Sequence, residues 1–106
     1  MSEGFEVWAG LVELRPLPGN DTLGDHPGAF TNALTVAADA ADFGTRVANF
    51  FLGEGFELIS LERVETLADR GRLVPLPDGM RRLGELARAS DDVHFDDYFA
   101  YGSTDA

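Results

Sequence analysis

Ala29-Phe30-Thr31-Asn32-Ala33-Leu34-Thr35-Val36 alternates larger apolar residues with smaller or polar ones, the period of a half-buried strand. Asp39 then offers a carboxylate to open a helix, and Phe43, Val47, Phe50 and Phe51 fall on one face of it. Gly53 and Gly55 stop that helix. Phe56-Glu57-Leu58-Ile59-Ser60-Leu61-Glu62-Arg63-Val64 returns as a second strand. The stretch from Ala29 to Glu65 is therefore a strand–helix–strand unit with its own apolar face, and the rest of the chain is read around it. Asp39 with Asp42 three residues on is a partial capping box. Asp42 and Arg46 are four apart, a surface pair worth a few tenths of a kcal/mol. Gly44 costs the helix about 1 kcal/mol against alanine and suits close packing on a strand.

On the N-terminal side, Phe5 to Leu14 reads as a first strand. Val7, Ala9 and Leu11 point one way; Trp8, Val12 and Leu14 point the other. Apolar residues on both faces imply a central position, or helices on one side and a partner on the other. Trp8 is read as core filling, with a partner-facing anchor as the alternative. Pro16 to Gly28, rich in proline, glycine and aspartate, is a loop that carries His26.

On the C-terminal side, Glu65-Thr66-Leu67-Ala68 extends the strand or begins a turn. Asp69-Arg70-Gly71-Arg72 is a turn signal, and Leu73-Val74 suggests a short edge strand. A second helix is expected from Pro77 or Asp78 to about Ala89. Met80, Leu83, Leu86 and Ala87 form its buried face, and Arg81, Arg82 and Arg88 form its outer one, opposed by Glu85. The last sixteen residues, from Asp91, hold five aspartates and no basic residue. Val93, Phe95, Phe99 and Tyr101 are evenly spaced, as on one docked strand ending near Tyr101, with a frayed end beyond.

These elements predict a single α+β domain over residues 1–106, ordered from about 4 to 101. The expected architecture is a three- to four-stranded, mostly antiparallel sheet with two helices on one face. Its order is β-β-α-β-α-β, and the nearest common layout is ferredoxin-like.

Charge narrows the function. The 106 residues carry 19 acidic and 8 basic side chains, for a net charge of −11. Such a surface repels nucleic-acid phosphates and anionic lipid and attracts basic partners. All basic residues are arginine, which fits a GC-rich bacterial genome. Cysteine is absent, no run of about 18 apolar residues offers a membrane span, and Met1 to Glu6 is acidic where a signal peptide would be basic. A cytoplasmic location is expected.

Catalytic patterns are sparse. No serine lies in a Gly-x-Ser-x-Gly elbow, and Gly53-Glu54-Gly55 ends a helix where a phosphate loop would open one. Asp91, Asp92, His94 and Asp96 cluster, yet they read as solvated acidic surface more readily than as a metal site. No cofactor is implied. The sequence points first to a non-enzymatic binder, such as an inhibitor, immunity protein or antitoxin that occludes a basic protein partner. Asp91, Asp92, Asp96 and Asp97 would supply the field, with Tyr98, Phe99 and Tyr101 as anchors. A second possibility is a small-molecule-binding or catalytic domain with Trp8, His26 and His94 in its pocket. A third is a homodimeric structural module that buries the second sheet face.

Overall fold

The computed structural model describes residues 5–90 and 92–102. Asp91, and the end expected to fray after Gly102, lie outside the described residues. Strands β1 (Glu6–Pro16) and β2 (Gly28–Ala37) form an antiparallel pair. Helix α1 (Ala40–Gly53) carries the chain over β1 to β3 (Phe56–Thr66), which pairs antiparallel with the far side of β1. Two further helices follow, α2 (Leu67–Leu73) and α3 (Asp78–Ala89). Short strands β4 (His94–Phe95) and β5 (Phe99–Tyr101) then both pair with the open side of β2. The fold is α+β, with strand order β3-β1-β2-β4 and β5 sharing the outer position with β4.

Helix α1 starts and stops where its residues demand. The Asp39 carboxylate accepts from the Asp42 N–H at 2.8 Å, and Asp42 in turn accepts from the Ala38 N–H at 2.9 Å. Asp42 thus reaches back past the cap residue to the amide before it, and the Asp42–Arg46 pair closes at 3.0 Å. At the other end Gly55 takes φ +88°, a left-handed conformation that favours glycine. Phe43, Val47 and Phe51 are fully buried against the sheet.

The sequence suggested that the helices share one face, and they do not. Residues 12 and 14 of β1 pack with Ala29 and Ala33 of β2 under α1, together with Phe56 and the partly buried Trp8. Val7 and Ala9 of β1, with Leu34 of β2, pack instead with Leu67 of α2 and Ala87 of α3. Period-two alternation puts these two sets on opposite faces, so α1 covers one side and the α2–α3 pair the other. That explains the doubly apolar start of β1 without a partner chain. Gly10 makes room for the Phe43 side chain of α1, since a Cβ there would stand 2.9 Å from the ring.

The expected strand near Leu73 is helix. The Thr66 hydroxyl accepts from the Asp69 N–H at 3.1 Å, so the residues that resemble a turn are the capped first turn of α2. Strand β3 is an edge, and two register irregularities break its ladder with β1, after Ala9 and after Glu13. Arg63, at φ 55°, lies at the first of them. Bulges and outward charges are the usual protection of an exposed edge.

Gly44 faces Leu61 of β3, and a Cβ added there would meet the Leu61 side chain at 3.4 Å, an ordinary contact. Gly44→Ala is therefore expected to stabilise the protein by about 1 kcal/mol through helix propensity. Thermal unfolding should show the melting temperature rising by about 5 °C.

Candidate functional site

The C-terminal segment does not run as one strand. Phe95 pairs with Ala33, while Phe99 pairs with Phe30. Four steps on one strand therefore match three on the other, so one residue is extra and the side chains change face. Before the bulge, Phe95 packs in an aromatic cluster under α1, 5.3 Å from Phe51 and 5.8 Å from Phe50 between ring centroids. After it, Phe99 and Tyr101 emerge on the opposite face, beside Phe30. The even spacing of aromatics suggested a single face; the structure splits them between two.

Asp96 makes the turnover. Its N–H donates to the Asn32 carbonyl at 3.1 Å. Its carboxylate accepts from the Thr31 hydroxyl at 2.9 Å, the Asn32 N–H at 3.0 Å and the Asn32 side-chain amide at 2.9 Å. Thr31 is fully buried, so this carboxylate helps satisfy a hydroxyl that no solvent reaches. Asp96 is thus a structural clamp, and its charge is engaged by β2.

The other residues expected to bind a partner have different settings. Asp92 and Asp97 are exposed, and neither forms an ion pair among the described residues. Asp92 does brace the fold through its backbone, since its carbonyl accepts from the Thr35 hydroxyl at 3.3 Å. Tyr98 is half-buried between Phe56 and Phe95, at centroid distances of 5.4 and 5.3 Å. Burial raises its phenol pKa, helped by the charge of Glu54. Phe99 is 57 % exposed.

Tyr101 reaches across the sheet. Its hydroxyl donates to Glu13 Oε2 of β1 at 2.6 Å, and Glu13 Oε1 accepts from the Ser60 hydroxyl of β3 at 3.0 Å. The tyrosine crosses β2 at Gly28, where a Cβ would collide with its hydroxyl and stand 2.8 Å from the Leu14 carbonyl. Residues from three strands are joined through one carboxylate. Sequence reasoning missed Glu13 and Ser60; their cross-strand register was the only signal, and it is not visible before the strands are paired.

The Glu13 hydrogen bond, followed by burial, raises the Tyr101 phenol above its ordinary pKa. A pKa raised on folding favours the protonated phenol in the folded state. This contribution to stability is complete below about pH 10 and is lost as pH rises through the folded value. In an ultraviolet tyrosinate titration, Glu13→Gln should move one tyrosine to lower pH, and an unchanged curve would contradict the bridge.

Trp8, His26 and His94 do not come together. Trp8 pairs with Thr35 and Thr66 at one end of the sheet and packs towards α1, its buried Nε1 without a hydrogen-bond partner among the described residues. His26 lies in the loop before Gly28, at the other end, and its buried Nδ1 also has no partner among the described residues. His94 pairs with Leu34 and bonds the Ser90 hydroxyl through Nε2 at 2.9 Å. No three His, Asp or Glu side chains converge as metal ligands among the described residues. A concavity of about 380 Å³ does open elsewhere, lined by Asn32, Pro77, Gly79, Met80, Leu83 and Asp96.

No helix among the described residues is long and apolar enough to cross a membrane. Comparison with family models, curated proteins and solved structures gives no match.

Proposed function

We propose that the chain is a non-enzymatic, acidic binding protein of the cytoplasm that docks a basic protein through its C-terminal edge. The most concrete form is an inhibitor, immunity protein or antitoxin that occludes its partner. The observation that carries this is Phe99, which stands 57 % exposed in a stretch where Asp92 and Asp97 are exposed and without ion pairs. An exposed aromatic within a negative field combines the two features that anchor and accelerate association. Asp96 and Tyr101, which are held by the fold, support that edge and take no direct part in the field.

Calorimetric titration against the basic products of neighbouring genes tests the proposal. Affinity should fall steeply between about 50 and 300 mM salt. Asp92→Asn with Asp97→Asn should slow association, and Phe99→Ala should weaken binding by about tenfold. Binding that ignores both salt and these substitutions would place the contact elsewhere.

A further inference from the structure

On the face away from α1, the helical layer is incomplete. Helices α2 and α3 roof only the end of the sheet formed by Val7, Ala9, Leu34 and Val36. Farther along the same strands, alternation brings Leu11, Phe30, Phe99 and Tyr101 to that face, and neither Leu11 nor Phe30 joins a core cluster. This half-sheet, where Leu11 and Phe30 are each partly exposed, is walled at one end by the start of α3, where Met80 and Leu83 border the 380 Å³ concavity over Asn32. The result is an apolar trough one layer deep, level with an existing helix.

The charge around it is mostly negative. Glu13, Glu57 and Glu62 lie on or beside the trough, against Arg15, already paired with Glu57 at 2.6 Å, and Arg70, which reaches the Met80 sulfur at 3.8 Å and is paired with Glu65 at 3.3 Å. Glu62 is exposed and makes no ion pair among the described residues. A second copy of this chain would set the same carboxylates against each other, so like-charge repulsion disfavours it. Strand addition is also disfavoured, because both sheet edges are broken by register irregularities. Helices already cover the rest of the sheet.

We infer that the trough seats an amphipathic helix of the basic partner, its apolar stripe on Leu11, Phe30 and Phe99 and its Lys or Arg flanks on the surrounding carboxylates. This rests on the basic-partner proposal and adds the partner's local structure and a second part of the contact surface. The test uses an amphipathic Leu/Lys peptide of about 18 residues and a scrambled peptide of equal composition, so that charge is constant and only the stripe is lost. Titration into the whole chain should shift the backbone resonances of Leu11, Phe30 and Glu62 and raise peptide helicity by circular dichroism. The scrambled peptide should bind at least about tenfold more weakly. Leu11→Asn should cost a similar factor, while Leu52→Ala, on the exposed side of α1, leaves the peptide affinity unchanged. Glu62→Arg, on an exposed strand position, gives the same readout should Leu11→Asn fail to fold. Equal binding of both peptides, or shifts confined to Asp92 and Asp97, would overturn the trough and leave the basic-partner proposal standing. Absence of any binding by either peptide would overturn both.

Discussion

Phe51→Ala is expected to destabilise the protein by about 4 kcal/mol, the usual cost of emptying a phenylalanine site in a packed core. Phe51 is fully buried and meets three aromatic rings: Phe50 at 5.0 Å, Phe95 at 5.3 Å and Phe56 at 6.5 Å. These rings come from α1, β4 and β3, so the cavity would open where three elements meet and none can collapse alone. Domains of this size have about 5 to 15 kcal/mol in total, so the loss is a large fraction of it. The melting temperature should fall by about 20 °C. Leu52 is the matched control, next in sequence but 58 % exposed. Leu52→Ala should stay within about 0.5 kcal/mol of wild type by urea unfolding. Similar losses at both positions would mean that the assigned face of α1 is wrong.

That face was legible in the residues alone, because Phe43, Val47 and Phe51 obey a single period and Asp39 can only cap. Local chemistry of this kind survives folding unchanged. The face of the other helices was not legible. Both sides of β1 are apolar, and nothing in Val7 or Ala9 says which helix will cover them. Helix α2 was hidden by its own composition: Asp69, Arg70 and Gly71 spell a turn until Thr66 is seen to cap them. The aromatic strip failed for a different reason. Even spacing predicts one face only while the register holds, and the extra residue between Phe95 and Phe99 breaks it. For the candidate site, the exposure of Asp92, Asp97 and Phe99 agrees with a sequence that crowds charge and aromatics at one end. The role of Asp96 could not be read there, since its partners Thr31 and Asn32 are more than sixty residues away.

Asp96→Ala should separate support from contact. The substitution removes the carboxylate acceptor for both Asn32 donors and one of the two acceptors of the buried Thr31 hydroxyl, whose other is the residue 96 carbonyl. Hydrogen bonds to a charged group contribute about 1.5 to 3 kcal/mol each; the Thr31 hydroxyl keeps the backbone carbonyl of residue 96 at 3.2 Å, so about 3 kcal/mol is expected in all. Asp96→Asn keeps one oxygen as acceptor but turns the other into a donor facing donors, and it should lose about half as much. By contrast Asp97→Asn, on the adjacent exposed residue, should leave stability within about 0.5 kcal/mol of wild type. Native-state hydrogen exchange would show where the damage lies. Protection should fall first at the amides linking β2 to β4 and β5, because the clamp is what lets the chain change face without losing its pairing. Partner affinity should fall for both residues, yet only at Asp96 should the loss be accompanied by loosened exchange at the sheet edge. If Asp96→Ala weakened binding with exchange and melting untouched, its carboxylate would belong to the contact surface and the division between support and field drawn from its hydrogen bonds would be wrong.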